Sequence, residues 1–184
     1  MLPQKMDCAS CLLRPWRRQD KAPLLRYANN RNIWRNLRDR FPHPYLEADA
    51  DDWLGRVATS AWIDGIYAID VAGEAVGSIG FERHADVQRH SAEVGYWLAE
   101  PFWGRGIATD ALRTLTAAAL AEADLWRLEA GVFAWNRASM RVLEKAGYLR
   151  EGVRVLGAIK DGQAVDQVVY AITGNPDIPH VRAD

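Results

Sequence analysis

The sequence predicts an α/β protein, classed as α+β, in which helices cover both faces of a mixed, largely antiparallel sheet of about seven strands. Runs with apolar side chains at every second position alternate along the chain with runs of helical period. Two glycine-containing pairs, Gly73-Glu74 and Asp161-Gly162, separate neighbouring strands in the way that hairpin turns do. A strand–helix–strand–helix order over residues 91–146 requires parallel neighbours in that part of the sheet.

Length and composition indicate a single globular domain. The chain has 184 residues, of which 49% are hydrophobic and 26% are charged, which is sufficient for a substantial core. We assign the core to residues 10–173 and the tail to residues 174–184. The formal net charge of −1 does not indicate a nucleic-acid partner or an anionic membrane, and the local cluster of Arg14, Arg17 and Arg18 is expected to be a solvated face. No signal segment and no run of 18 apolar residues is visible, so we expect a cytoplasmic protein without membrane contact.

The two cysteines, Cys8 and Cys11, have C-x-x-C spacing. A redox pair or half of a zinc site would have this spacing, but a zinc site needs two further ligands and no second pair follows. Residues 9–13 resemble a first strand more than the turn that opens a redox helix. We therefore expect ordinary strand cysteines and no metal.

The first half of the chain is predicted to hold one strand and three helices. The strand covers residues 10–14, and the helices cover 20–29, 31–37 and 48–61. Asp20 is suited to cap the first helix, and Pro23 falls within its first turn. Residues 38–45 must form a loop, because they contain two prolines two positions apart.

The second half is dominated by strands. They are predicted at residues 66–71, 75–81, 91–98, 127–133, 148–159 and 164–173, with a polar loop at 84–90. One helix runs from the glycine-rich turn at 103–109 to about residue 123, and another covers 136–146. Asn136 is suited to the N-cap of this last helix and Gly147 to the position after its C-cap.

The glycine-rich turn, Trp103-Gly104-Arg105-Gly106-Ile107-Ala108-Thr109, leads from a strand into a helix. Such a turn presents free backbone N–H groups at the positive end of a helix dipole, which suits a phosphate or pyrophosphate. It lacks the lysine and the spacing of a Walker A loop, and it is not placed as a dinucleotide-binding fingerprint is. By itself the pattern is equally compatible with a plain tight turn.

A second motif gives this turn its context. It runs from Asn136 to Tyr148 and leads from a helix through Gly147 into a strand. Together the two segments resemble the GNAT family of acyl-CoA-dependent N-acetyltransferases. In the first half of the family signature, Gln/Arg-x-x-Gly-x-Gly/Ala, this chain matches at Gly106 and Ala108 and has Trp103 in place of the Gln or Arg. The second half is matched at Asn136, Ser139, Leu143, Glu144, Lys145, Gly147 and Tyr148.

Further residues resemble the ribosomal-protein N-terminal acetyltransferase branch, the RimJ/RimL-like proteins. They are Tyr96-Trp97 before the turn, Trp103 in place of Gln or Arg, Arg127 at the start of the next strand, and the opening at 13–16. The resemblance covers residues 11–173. It implies a GNAT fold whose fourth and fifth strands splay apart to admit acetyl-CoA.

The resemblance also implies which residues hold acetyl-CoA. The backbone of the glycine turn would cradle the pyrophosphate, and the end of the preceding strand would pair with the pantetheine arm, with Gly95 marking a bulge. Asn136 would bind the cofactor through its amide, and Lys145 or Arg141 would contact a phosphate or remain a solvated helix charge. The residues assigned to acetyl-CoA are Tyr96, Trp97, Leu98, Trp103, Gly104, Arg105, Gly106, Ile107, Ala108, Thr109, Asn136, Ser139 and Lys145.

The implied reaction is direct attack of a neutral amine on the thioester, for which a base must remove a proton. Glu93 is the candidate base, directly or through water; alternatively it is a solvent-facing residue or an acceptor for a neighbouring arginine. His84 and His90 could also supply a base or remain solvated loop residues. The family tyrosine that protonates the leaving thiolate is replaced by Leu143, so Ser139 is the candidate acid, or it bonds helix backbone. The branch's further carboxylate would fall near Ala158, where no acid stands.

The acceptor is expected across the sheet from the cofactor, near the 38–45 loop. Arg38, Phe41, His43 and Tyr45 are the candidate acceptor-binding residues, whereas Trp53 and Trp62 are expected in the core. Three functions remain open: acetylation of a protein or peptide N-terminus, acetylation of a small-molecule amine, and acyl-CoA sensing without catalysis. A homodimer is compatible with each of them.

Overall fold

The computed structural model describes residues 2–59 and 65–174. The strands are β1 (Met6–Asp7), β2 (Leu12–Arg14), β3 (Tyr67–Val71), β4 (Glu74–Arg83), β5 (Ser91–Leu98), β6 (Arg127–Phe133), β7 (Leu149–Lys160) and β8 (Gln163–Thr173). The α-helices are α1 (Lys21–Ala28), α2 (Arg31–Trp34), α3 (Glu47–Thr59), α4 (Ile107–Glu122) and α5 (Arg137–Lys145). Short 3-10 turns at Arg18–Asp20, Asp86–Gln88 and Glu100–Phe102 connect them.

The strands form one sheet in the order β1-β2-β3-β4-β5-β6-β8-β7. The fold prediction is confirmed, with one strand more than the seven expected. The additional strand is β1, which pairs Met6 with Leu13 and Asp7 with Leu12. The interpretation of residues 9–13 as a strand is wrong in its first half: the N–H of Cys8 donates to the carbonyl of Cys11 (2.9 Å), so the residues between them form the turn of a hairpin. A two-residue strand is too short to produce a visible period.

The sheet opens between β5 and β6. These two strands are parallel and pair at only three positions, from Ser91 opposite Arg127 to Glu93 opposite Glu129. Beyond Glu93 the strands separate, which is the predicted splay. Gly95 does not mark a bulge, because β5 pairs with β4 without a register shift through Gly80 opposite Gly95.

Helices pack on both faces of the sheet. On one face, α4 and α5 bury residues such as Leu112, Leu115 and Leu143 against the apolar side chains of the sheet. On the other face, α1 and α3 form a second cluster with Ala68 and Ala75. The side chains of β3 and β4 alternate between these clusters, as the period of a strand requires.

The remaining element predictions hold within a few residues. The helix expected at 31–37 ends at Trp34 and continues as turns, and the hairpin between β3 and β4 turns at Ala72-Gly73, since Val71 pairs with Glu74. Gly147 lies at φ +95° after α5, as expected for its position. Trp62, the last two residues of the helix expected at 48–61 and the tail after Gly174 lie outside the described residues. In the described part of the chain, no helix is long and apolar enough to cross a membrane.

Arg14 is fully buried, so its assignment to a solvated face is wrong. Its guanidinium donates to Asp70 on β3 (2.6 Å) and through two nitrogens to Asp20 before α1 (2.7 and 2.9 Å). The Asp20 carboxylate also accepts from the N–H of Arg17, and no side-chain hydrogen bond caps α1, which corrects the capping prediction. The Asp70 carboxylate in turn accepts from the N–H of Gly73 (2.7 Å). One buried cation thus joins β2, the start of α1 and the β3–β4 turn.

Replacing Arg14 with Met should destabilise the fold by about 3–5 kcal/mol, because two buried carboxylates lose their counter-charge. The free energy of unfolding would be measured by urea denaturation. The matched control is Arg26→Met, which removes an exposed ion pair with Glu74 and should leave the urea midpoint unchanged. An unchanged midpoint for Arg14→Met would show that the network does not stabilise the fold.

Candidate active site

The gap between β5 and β6 opens into a cleft of about 1170 Å³ that crosses the sheet. Its walls come from the 38–45 loop and α3 at one end and from the glycine turn, α4 and α5 at the other. The cleft brings together the predicted site residues Glu93, Tyr96, Trp97, Leu98, Trp103, Gly104, Gly106, Ile107, Ala108, Thr109, Asn136, Ser139, Lys145, Arg38, Phe41 and Tyr45. Arg105 and His43 are not among the residues that line it.

The glycine turn has the backbone conformation that the sequence suggests. Gly104 and Gly106 have φ values of +75° and +83°, in the left-handed region that favours glycine. Gly106 is the N-cap of α4, and no side chain caps the helix there. The first backbone N–H bonded into the helix is that of Asp110, which donates to the carbonyl of Gly106 (3.0 Å). The N–H groups of the first turn therefore have no capping side chain, and Ile107, Ala108 and Thr109 line the cleft.

Two contacts that involve aromatic side chains hold the glycine turn in place. The indole N–H of Trp103 donates to the carbonyl of Leu98 at the end of β5 (2.7 Å). The Arg105 guanidinium lies 5.2 Å from the ring centre of Phe102, so this side chain packs beside the turn. Trp103 consequently connects the glycine turn to the end of β5. A Gln or Arg side chain at this position has no indole N–H and would have to make this contact through another group.

Asn136 caps α5, as predicted. Its side-chain oxygen accepts from the backbone N–H of Ser139 (3.1 Å), which fixes the first turn of the helix next to the cleft. At the other end of α5 the exposed side chain of Lys145 lines the cleft, while its carbonyl accepts from Arg113 of α4 (3.1 Å). In the described parts of the chain the ammonium group of Lys145 has no acidic partner.

Tyr96 and Ser139 form a hydroxyl pair across the opening. Their side-chain oxygens are 2.8 Å apart, and the Tyr96 hydroxyl also lies 3.3 Å from the Ser139 carbonyl. Burial raises the pKa of Tyr96, so its hydroxyl stays protonated across the physiological range. Sequence reasoning placed both residues at the cofactor but missed their contact. Strand alternation was the available signal, since Tyr96 lies on the same face of β5 as Val94 and Leu98, which pack against α4 and α5.

Glu93 points to the opposite face and forms an ion pair with Arg38 of the loop. Its side chain keeps 30% of its surface exposed, so the carboxylate is accessible from the cleft. The neighbouring strand contributes Glu82, which pairs across from Glu93 and accepts from Arg40 (3.1 Å). The structure therefore contains the alternative in which Glu93 accepts from a neighbouring arginine. That arginine, Arg38, is itself a predicted acceptor-binding residue.

The histidines considered as alternative bases do not line the cleft. His84 lies 3.4 Å from the carboxylate of Glu129, and His90 stacks on Trp126 with ring centres 4.1 Å apart. Among the base candidates from the sequence, only Glu93 is placed in the opening.

An aromatic wall borders the end of the cleft that the 38–45 loop forms. Phe41 packs between Tyr45 (5.1 Å between ring centres) and Trp97 (5.9 Å). Burial raises the pKa of Tyr45 to about 12, so this side chain is a neutral packing residue. Trp53 lines the same end and contacts the core tryptophan Trp16 (6.3 Å), so its assignment to the core alone is incomplete.

The loop is fixed from the far side by Lys160, which the sequence analysis did not single out. Its side chain is 1% exposed, and its ammonium group lies 3.9 Å from the ring centre of Trp34 and donates to Asp39 (2.7 Å). Trp34 in turn packs on His43 (5.6 Å), which places this exposed histidine away from the cleft. A lysine at the end of a hairpin gives no sequence signal for a partner 121 residues away.

The relatives found by comparison with known proteins include N-acetyltransferases. Residues 11–149 match the model of the acetyltransferase (GNAT) domain. YjcK of Bacillus subtilis, named as an N-acetyltransferase, is 44% identical over 87 residues, which cover 47% of this chain and 48% of YjcK. YdaF of the same organism, named for ribosomal N-acetylation, is 34% identical over 128 residues, or 70% of this chain and 68% of YdaF. The match to the first of these relatives thus spans about half of its length.

Solved structures of similar shape include two proteins described with coenzyme A. RimJ of Mycobacterium smegmatis, in complex with CoA-disulfide, superposes with a TM-score of 0.77 at 25% identity, covering 97% of this chain and 89% of RimJ. RimL, a ribosomal L7/L12 α-N-protein acetyltransferase in complex with coenzyme A, gives a TM-score of 0.80 at 21% identity, covering 96% of this chain and 99% of RimL. The second likeness shows that the fold is shared.

Proposed function

The chain belongs to the acetyltransferase (GNAT) family, and on that basis we propose that it transfers an acetyl group from acetyl-CoA to a primary amine in a ternary complex. The observation that carries the proposal is the opening between β5 and β6, which joins the uncapped N-terminus of α4 on one side to the Glu93 carboxylate on the other. Most of the site residues derived from the sequence line this opening, and Arg105 and His43 do not.

The donor half of the cleft fits a coenzyme A. The free N–H groups at the start of α4 suit a pyrophosphate, and a Cβ built on Gly104 or Gly106 meets no atom within 4 Å, so the turn leaves room for a ligand against its backbone. Lys145 and Arg141 place positive charge on the same wall. Because β5 has no β6 partner beyond Glu93, its backbone edge is available to an extended pantetheine arm.

The two faces of β5 divide the chemistry. When bound, acetyl-CoA supplies a thioester carbon that the amine attacks, so that a C–N bond forms and the C–S bond breaks. Glu93 exchanges its Arg38 partner for the incoming ammonium and accepts its proton, directly or through water. On the other face, Ser139 passes its hydroxyl hydrogen to the leaving thiolate, and Tyr96 holds the serine oxygen in place. The nitrogen loses its second proton as the amide forms, and this proton returns to Ser139 through solvent.

For the acceptor we propose a protein or peptide N-terminus. The acceptor end is an open groove with an aromatic wall and alternating arginine and glutamate side chains, which suits a peptide that carries one free ammonium group. The name of YdaF, which refers to ribosomal N-acetylation, supports this assignment. A cytoplasmic location fits such an acceptor. The exposed apolar side chains of edge strand β7, among them Leu149, Val155 and Ile159, support the expectation of a homodimer.

The test of this function is release of CoA thiol from acetyl-CoA with a panel of acceptors. We expect turnover on peptides with a free α-amine and none on the same peptides with a blocked α-amine, even when they contain lysine. Turnover on polyamines or aminoglycosides alone would replace the peptide with a small-molecule acceptor. Tight acetyl-CoA binding without turnover on any amine would identify a sensor.

Gly106→Ala is the donor-site control in this assay. A methyl group at φ +83° would strain the turn and cover the N–H groups, so the Kd for coenzyme A should rise by about tenfold or more. Gly162→Ala introduces the same kind of strain at φ +72° in the β7–β8 turn and should leave the Kd unchanged. Equal effects of both variants on the Kd would remove the glycine turn from the donor site.

Glu93→Gln should lower kcat by about 100-fold or more while the KM for acetyl-CoA stays constant, because the base is lost and the donor half is intact. The loss should shrink as the pH rises above about 8, the usual pKa of an α-amine, since the free amine then needs no base to deprotonate it. Arg38→Gln leaves the carboxylate in place and should cost less activity. Full activity of Glu93→Gln near neutral pH would exclude this role.

Ser139→Ala should lower kcat by about tenfold to 100-fold without changing the KM for acetyl-CoA, because the departing thiolate loses its proton donor. Tyr96→Phe keeps the serine hydroxyl and removes only its partner, so it should have the smaller effect. The readout is steady-state thiol release for both variants. A larger loss for Tyr96→Phe than for Ser139→Ala would contradict the assignment of serine as the donor.

A further inference from the structure

Cys8 and Cys11 face each other across the β1–β2 hairpin. The N–H of Cys8 donates to the carbonyl of Cys11 (2.9 Å), and only Ala9 and Ser10 lie between them. The register of the hairpin, with Asp7 opposite Leu12, places Cys8 opposite Cys11. Opposed residues of antiparallel strands have Cα atoms about 4.5–5.5 Å apart, which lies within the range of about 4.4–6.8 Å that a disulfide requires. Both cysteines are free thiols and only partly buried, so a small reagent can reach them.

The two thiols are unequal. A hydrogen bond from the Cys11 side chain lowers the pKa of Cys8 to about 7, against burial and the negative charge of Asp110; a hydrogen bond to Thr114 of α4 contributes in the same direction. The shared proton stays on Cys11, and with burial it raises the pKa of that thiol. A large fraction of Cys8 is therefore thiolate near neutral pH, the form that attacks disulfides.

The hairpin is also held in place. The Ser10 hydroxyl, which lies between the two cysteines, donates to Asp110 in the first turn of α4 (2.6 Å). β1 continues the sheet beside β2, so the turn is anchored at its base and at its tip. Ring closure between the two thiols consequently costs little further ordering of the chain.

We propose that Cys8 and Cys11 are a redox-active dithiol that exchanges with low-molecular-weight disulfides. In the first step the Cys8 thiolate attacks one sulfur of the external disulfide, an S–S bond forms to Cys8, and one external thiolate leaves. Cys11 then loses its proton and attacks the Cys8 sulfur, which closes the protein disulfide and releases the second thiolate. The two protein thiols are oxidised, the external disulfide is reduced to two thiols, and the protein's protons pass to them through solvent.

The experiment equilibrates the full-length protein in glutathione buffers from fully reducing to fully oxidising, then alkylates and measures intact mass. We expect wild type to lose both alkylatable thiols together with two hydrogen atoms and to recover them in reducing buffer. Cys8→Ser and Cys11→Ser should each form only a mixed disulfide with glutathione. Two alkylatable thiols at every ratio, or disulfide-linked dimers as the oxidised product, would overturn the proposal.

A second measurement tests the activation of Cys8 in the native protein, so that misfolding of a variant is not mistaken for loss of the dithiol. The rate of Cys8 alkylation, followed site by site in the native protein, should have its midpoint near pH 7 in wild type. Cys11→Ala removes the hydrogen-bond donor and should raise this midpoint, whereas Cys11→Ser retains a hydroxyl donor and should raise it less. Identical midpoints in all three proteins would show that Cys8 is not activated by its neighbour.

Discussion

The separation of β5 from β6 is the constraint on which the rest of the site depends. Backbone N–H and C=O groups that lose a strand partner must find another one, because an unpaired polar group away from water is costly. Beyond Glu93 the chain meets this demand in two ways. The indole N–H of Trp103 donates to the carbonyl of Leu98, and the remaining edge of β5 is available to solvent or to an extended ligand. The same three-residue contact that begins the opening also fixes Glu93 at its rim.

The two sides of the opening differ in chemistry because the side chains of β5 alternate between the two faces of the sheet. Glu93 and Trp97 therefore face the 38–45 loop, while Tyr96 faces α5. A reacting group in the gap is thus flanked by a carboxylate on one side and by the Tyr96–Ser139 hydroxyls on the other. In the mechanism we propose, the carboxylate that removes a proton and the hydroxyl that delivers one therefore lie on opposite faces of the sheet.

Features that depend on local chemistry could be predicted from the sequence, and those that depend on distant contacts could not. The glycine turn, the Asn136 cap and the Asp161-Gly162 hairpin each follow from residues a few positions apart, and the structure contains them. Arg14 was misassigned because its partners Asp20 and Asp70 belong to other elements, and nothing in the charge pattern marks the pairing. The Tyr96–Ser139 contact was missed for a different reason: the periodicity was visible, but the packing of α5 on that face had to be known first.

The segment at residues 31–39, beside the cleft, is held by residues that come much later in the chain. Asp39 binds Lys160, Arg31 binds Asp161 (2.5 Å), and Asn36 accepts from the indole N–H of Trp135 (3.1 Å), across sequence separations of 99 to 130 residues. On a ribosome, the 31–39 segment emerges long before these partners exist. The contacts that hold this side of the cleft therefore cannot all form until the last hairpin has left the exit tunnel, so a truncated nascent chain lacks them.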